Sequence, residues 1–444
     1  MIQKGDKKII RGWVMYDWAN SVYNLVISSA IFPIFYDTQS KIVYAENNNI
    51  ADWKKIPEGT KVTIDFFGQQ LSNSVIYSFV LSASFLVVAL LSPILSGIAD
   101  YTGSKKRFLQ FFCYFGSFAA MSLYFFDAHY AEIGMLSIFI ASIGFWNSLV
   151  FYNAFLPEIA EPIDQDKISA RGFSMGYLGS MILLVFCLIW IQVLHYEVKW
   201  CFVFVGVWWI GFSQFTYRVL PINVHGKKPE PGYIWRGFRE LKLVFKEFKR
   251  TKRLKRYLYA FFFFNTGVQT VMLMATIFAN KEIQWPEGAD TSGLIIAILL
   301  IQILGALGAF LMSRLSNKIG NIYTLMFSVA LWIGLCVFAF FIKTPNEFYT
   351  MAAGVGLVMG GVQAIARSTY SKFLPPTTDS ASYFSFYDVT EKIGIVFGTF
   401  FFGFMEYITN SLRMSVMSVT AFFVIGFILL FFVPKKEIEL ETTH

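Results

Sequence analysis

Apolar residues fall into twelve long runs separated by short polar stretches. The runs cover approximately 13–36, 74–98, 108–126, 133–156, 172–194, 201–220, 257–279, 292–314, 322–342, 348–370, 384–408 and 412–433. About 20 apolar residues suffice to carry a helix across the hydrocarbon core of a bilayer. Strands of a membrane barrel would alternate and be about half as long, so only helices fit. The pattern predicts an all-α polytopic membrane protein with twelve transmembrane helices. Polar residues interrupt some runs at helical spacing. Asp17, Asn20 and Asn24 share one face, and so do Asn265 and Gln269. Such stripes are costly against lipid and predict faces turned to the bundle interior.

Charge adds orientation. Charged residues make up 15% of the 444-residue chain, against about 25% in a soluble protein. The mean hydropathy is +0.54. Of the 37 Lys and Arg, 28 lie on the side of the two termini, eight on the other, and Lys392 inside a run. The positive-inside rule then places both termini in the cytoplasm of a multi-pass protein, expected in a bacterial inner membrane. The net charge of +8 is a topology signal and gives no reason to expect nucleic acid. The basic start "MIQKGDKKIIRG" leads into the first run without a cleavage motif and reads as an uncleaved anchor.

The chain divides into a six-helix half over 1–220, a basic linker over 221–256, and a second six-helix half over 257–444 with a short tail. In the linker, Trp235, Phe238, Leu241, Phe245 and Phe248 recur among Lys and Arg. This predicts an amphipathic helix at 233–256 lying on anionic lipid. Residues 37–73 form a long external loop. Within it "KVTIDFFGQ" alternates like a strand on which Tyr44 and Trp53 could pack, as a passive insertion or a lid over the outer mouth. A short repeat links the halves: "SGIADYTGSKKR" and "SRLSNKIGNIY" align at an offset of 217, pairing Asp100 with Asn317 and Gly103 with Gly320. Each follows the second helix of its half.

"GIADYTGSKKR" resembles the signature of the major facilitator superfamily, with Gly97, Asp100, Gly103, Lys105, Lys106 and Arg107 in place and Tyr101 where an Arg is usual. In the second half Asn317, Lys318 and Gly320 stand at the corresponding positions. Gly103 suits a tight turn, and Asp100 could cap a neighbouring helix or pair with a cation, forming a cytoplasmic gate. Five further motifs, "YDWANSVY", "FYNAFLPEIA", "RGFSMGYLGS", "FNTGVQTVMLMA" and "GGVQAIARS", are similar to the branch containing the fungal autophagy-linked vacuolar amino-acid effluxer and its bacterial relatives. The resemblance implies the major facilitator fold, two related six-helix halves working by alternating access. It also implies a secondary transporter of a small polar solute, amino acids or related metabolites among them, in the direction of export. Thr266 departs from the Asp that bacterial relatives show.

In that fold helices 1, 4, 7 and 10 line the central path. The solute-cavity candidates are Asn20, Tyr23, Asn24, Asn147, Tyr152, Asn153, Asn265, Gln269, Gln363 and Arg367. Arg367 suits a solute carboxylate or a lipid headgroup. Asp17, Asp388, Glu391 and Lys392 are the proton-coupling candidates, because protonation removes the cost of moving a buried carboxylate. Asp388 and Lys392 are spaced to pair along one helix, and Glu391 needs a partner elsewhere. Asp17 also reads as a structural anchor.

Neither a cofactor nor a metal is expected. Cys113, Cys187, Cys201 and Cys336 match no metal spacing, the four His are scattered, and no P-loop occurs. A monomer is expected, and not an enzyme. Facilitated diffusion of another metabolite, such as a sugar or peptide, is the alternative; a membrane-embedded enzyme is a remote one.

Overall fold

The computed structural model describes residues 4–57, 60–221, 233–286 and 290–434. Among these residues twelve long helices, called spans 1 to 12 here, follow in order. They are Lys7–Asn47, Asn73–Thr102, Lys105–Ser122, Ala131–Ala154, Gln165–Leu188, Lys199–Val219, Lys252–Glu282, Asp290–Ile319, Asn321–Phe341, Pro345–Phe373, Ser380–Thr409 and Leu412–Phe431. Eleven are long and apolar enough to cross a membrane. Span 6 is the exception. Its 21 residues suffice in length, while Trp208, Trp209, Gln214 and Tyr217 lower its hydropathy.

The packing is two-fold pseudo-symmetric. In the first half span 1 packs on spans 5 and 6, span 3 on spans 4 and 6, and span 2 on span 4. In the second half span 7 packs on spans 11 and 12, span 9 on spans 10 and 12, and span 8 on span 10. Between the halves span 2 meets span 11 and span 5 meets span 8, while span 4 meets span 11 and span 5 meets span 10. Small residues permit the closest of these approaches. A Cβ on Gly308 would lie 1.9 Å from the Leu357 carbonyl oxygen, and one on Gly360 2.0 Å from that of Gly305. Spans 8 and 10 therefore touch backbone to backbone.

Span 1 departs from the expected loop over 37–73. Its helix runs unbroken to Asn47. Forty-one residues rise about 60 Å, twice the hydrocarbon thickness of about 30 Å. No Gly or Pro interrupts the polar stretch after Pro33, and an Asp37–Lys41 ion pair at 2.7 Å reinforces it. Residues Tyr23–Ile31 form a π-helical segment in mid-membrane, with the Ser29 hydroxyl donating to the Asn24 carbonyl. Beyond span 1, strands β1 (Thr63–Phe66) and β2 (Gln69–Ser72) pair in an antiparallel hairpin. Ile64 is buried where β1 packs on the end of span 1, and the Phe67 N–H at the hairpin tip donates to Glu132 at 2.7 Å. The hairpin is thus docked on the first half. In the same face Asp127 is held below the usual carboxylate range by hydrogen bonds from the His129 backbone and ring.

The linker helix spans Tyr233–Arg250, and span 7 begins at Lys252, so the last basic residues of the expected linker belong to that span. The side chains of Trp235, Phe238 and Leu241 lie outside the described residues. Val244 is buried, and Phe245 and Phe248 contact Phe386 of span 11 at 5.7 and 5.8 Å between ring centroids. The helix also packs along span 2. Val244 and Phe248 therefore turn toward protein, while Leu243, Phe245, Lys242, Lys246 and Lys249 stay exposed.

Candidate functional site: the polar junction between the halves

Hydrogen bonds that cross between the halves lie in the part of each helix nearest the chain termini. Among the described residues most form three groups, two at the terminus face and one deeper, and single bonds from Ser174 to the Ala306 carbonyl and from Tyr177 to Gln363 lie further along span 5.

At the face, Asp100 closes span 2. Its carboxylate accepts from the Ala381 and Ser382 N–H groups at 3.2 and 2.6 Å. The first turn of span 11 has no side-chain cap of its own, so an acid from the opposite half satisfies its free donors and meets the positive end of its dipole. Lys105 at the start of span 3 pairs with Asp100 at 3.2 Å and with Glu158, and donates to Ser380 Oγ at 2.7 Å. Lys106 caps span 6 through the Leu220 carbonyl at 2.7 Å, and Arg107 is exposed. Gly103 takes φ +65°, the left-handed conformation that ends span 2.

The pseudo-symmetric place holds a second latch made from other residues than the repeat predicts. Asn317 and Lys318 point into solvent. The acid is Asp166 in the first turn of span 5. It accepts from Ser316 at 2.8 Å and Asn321 at 2.7 Å, and pairs with Lys372 at the end of span 10 at 2.6 Å. Gly320, at φ +89°, sets the turn that brings Asn321 there. In the first latch the acids sit at the end of span 2 and in the short helix Leu156–Ile159 that follows span 4, and a cation starts span 3. In the second a cation ends span 10 and the acid starts span 5, so the charges are inverted.

Deeper in the membrane, Asp17 of span 1 meets Arg367 of span 10. Arg367 Nη2 lies 3.1 Å and Nη1 3.5 Å from the two carboxylate oxygens, and the Tyr152 hydroxyl donates to Asp17 at 2.8 Å. Arg367 also donates to Ser169 Oγ and the Ser169 carbonyl, both at 2.9 Å, and to Asn153 Oδ1 at 3.3 Å. Phe173 and Trp13 flank the guanidinium at 4.1 and 4.9 Å. Trp13 stacks on Tyr152 with centroids 4.4 Å apart. A Cβ on Gly172 would sit 2.2 Å from Asp17 Oδ2, so this position must lack one. Arg367 is buried between the halves, which removes the lipid-headgroup alternative.

A second charged cluster lies on span 11. Lys392 is 3.1 Å from Asp388 and 3.7 Å from Glu391, and Gln269 of span 7 donates to Glu391 at 3.2 Å. The Lys392 ammonium stands over the Trp146 ring of span 4, 3.4 Å from its centroid.

The remaining candidates divide. Asn20, Asn147 and Asn265 are buried with one polar atom each left without a partner, and Asn24 is exposed. Gln363 accepts from Tyr177 across the halves at 2.7 Å. Tyr23 corrects the cavity assignment: it packs on Phe145 and Trp209 inside the first half. Trp13, Trp146, Glu158, Asp166, Ser169, Gly172 and Lys372 belong to the junction without having been singled out in the sequence. Among the described residues no group of three His, Cys, Asp or Glu is placed to hold a metal.

The sequence model of a family described as "Vacuole effluxer Atg22 like" matches residues 5–441. The chain belongs to that family. The MFS-type transporter YxiO of Bacillus subtilis (strain 168) is 29% identical over 437 residues, covering 96% of this chain and 94% of the relative. Autophagy-related protein 22 of Saccharomyces cerevisiae (strain S288c) is 24% identical over 472 residues, covering 91% and 88%. Among solved structures, the human organic anion transporter MFSD10 superposes with TM-score 0.72 at 10% identity, over 96% of this chain and all of that one. FucP in the outward conformation gives 0.66 at 12% identity, over 97% and 99%. The chain is a multi-pass membrane transporter of the MFS type.

Proposed function

We propose that the protein is a secondary transporter moving a small polar solute by rocking its two halves about the junction. The observation that supports this is the placement of inter-half ion pairs and helix caps at and near one face. The terminus face is sealed by chemistry that water can replace, which suits a seal that opens and closes. The family description, a vacuole effluxer, favours export, and the solutes of this reading are amino acids or related metabolites, as the sequence motifs imply. The 28-to-8 basic asymmetry favours cytoplasmic termini in a bacterial inner membrane. The exposed lysines of the linker helix suit anionic headgroups.

The coupling role moves away from Asp17. Asp17 is engaged by the Arg367 guanidinium of the other half and by the Tyr152 hydroxyl, so it acts in this reading as the hinge of the seal. Asp388 and Glu391 share one lysine and are the acids that exchange a proton during the cycle. The test is purified protein in liposomes, screened with pooled labelled metabolites with and without a pH gradient. A saturable flux that shows counter-flow supports a carrier, and its absence for every pool refutes the reading. Asp388→Asn or Glu391→Gln, each leaving the other acid in place, should lose acceleration by the gradient and keep exchange at higher solute concentration. Full gradient-driven accumulation in both removes proton coupling from this cluster.

A further inference from the structure

The cluster around Lys392 has a composition that an ion pair alone does not require. Two carboxylates, Asp388 and Glu391, face one ammonium, so with all three ionised the group is one positive charge short. Asp388 Oδ2 is buried and has no hydrogen-bond partner. Lys392 is itself almost fully buried, yet none of its three N–H groups makes a well-aligned hydrogen bond. Its ammonium rests instead on the face of Trp146, 3.4 Å from the ring centroid. Gln269 holds Glu391 from the side, and Asn265, one helical turn earlier on span 7, keeps its Nδ2 free. An aromatic face, two carboxylates and an amide are the groups that bind a primary alkylammonium. Here the cation they surround is supplied by the chain.

We propose that Trp146, Asp388, Glu391 and Gln269 form a binding site for the primary ammonium group of a solute, and that Lys392 fills this site while the terminus face is sealed. The inference rests on the reading of the protein as a carrier whose halves rock about the junction. Trp146 belongs to the first half and Lys392 to the second, so the lysine ties span 4 to span 11 only while it occupies the ring. An incoming ammonium takes the ring face and one carboxylate, and Lys392 retains the other. The cluster then holds two cations and two anions and is neutral. The cross-half tie becomes a contact through the solute. A solute lacking an ammonium leaves Lys392 in place and the tie intact.

The test is direct binding of n-propylammonium, whose end matches a lysine side chain. In Lys392→Ala the cage is vacant. Propylammonium at 50 mM should raise the apparent Tm of this variant by at least about 2 °C over the same concentration of sodium chloride, as a ligand that binds the folded state does. Tetramethylammonium, which has no N–H, and propionate, which has the wrong charge, should give no rise. Adding Trp146→Ala should abolish the effect. No rise in Lys392→Ala, or an equal rise with tetramethylammonium, overturns the proposal. If Lys392→Ala cannot be purified, the wild-type protein decides. Propylammonium should displace Lys392 and speed hydrogen exchange of the span 11 segment around 383–397 relative to matched tetramethylammonium, and equal exchange overturns the proposal. The readout is binding, so its failure leaves the carrier reading standing, and a failed flux screen leaves the binding result standing.

Discussion

Removing the charge of Asp17 is the most informative perturbation of the seal. Asp17→Asn leaves Arg367 buried between the halves without its counter-ion. Breaking a buried pair from one side costs about 3–5 kcal/mol. Arg367 would keep Ser169 Oγ, the Ser169 carbonyl, Asn153 and two flanking rings, which places the cost near the lower end. These contacts exist only while the halves are together at the terminus face, so the loss falls on the sealed state. At about 1.4 kcal/mol per factor of ten, 3 kcal/mol shifts the population toward opening about 100-fold. Ser382 is a suitable reporter: it is buried at that face beside Asp100, and its hydroxyl has no partner to lose. In a Ser382→Cys background the four native cysteines are buried, so the rate of labelling by a membrane-impermeant maleimide tracks opening. Asp17→Asn should raise that rate between about 10- and 100-fold. Adding Arg367→Met should bring it part-way back, because no unpaired charge then remains in the sealed state. A change of less than about three-fold in Asp17→Asn would refute the assignment of this pair to the seal.

The same labelling assay separates the two latches: Asp100→Asn and Asp166→Asn should each speed labelling, with effects that add in the double variant, and strong non-additivity would show that they act as one unit. Gly172→Ala should resemble Asp17→Asn in the labelling rate, since the new methyl group occupies the place of the carboxylate oxygen 2.2 Å away; wild-type behaviour would mean that the pair can shift without cost. Reporter fusions at Lys61 and Lys242 should fall on opposite sides of the membrane, and the same side for both would refute the orientation.

Most of the architecture is legible from apolar run length, because membrane spans must be long, helical and apolar. The junction is less so. Asp17, Arg367 and the span 11 triad stand out in the sequence because a charge inside an apolar run is costly. Asp166, Glu158 and Lys372 do not stand out, because charges at helix ends beside water cost little, and only the fold shows that these ends meet. The repeat located the second latch but misassigned its residues. Asn317 aligns with Asp100, yet the helix register turns Ser316 inward and Asn317 out. Span 1 was misjudged for a related reason: apolarity marks where a helix leaves the bilayer, whereas its end depends on capping and breakers, here at Asn48 and Asn49. Trp146 was hidden by the abundance of aromatics, since one indole among apolar neighbours carries no mark of the cation above it.

The overshoot of span 1 turns the first half into a lever with a visible pointer. About 16 Å of rigid helix, residues 37–47, stands beyond the apolar run on the hairpin side, and the docked hairpin stiffens its attachment. A rotation of about 15°, the scale of rigid-body domain movements, about a pivot at Asp17 some 45 Å away would sweep the tip through about 12 Å. Angular changes too small to follow between packed spans are thereby magnified at a water-exposed position. A spin label at Asn47, paired with one at the hairpin-side end of span 8 or span 9, would convert the rocking of the halves into a distance that pulsed spectroscopy can read.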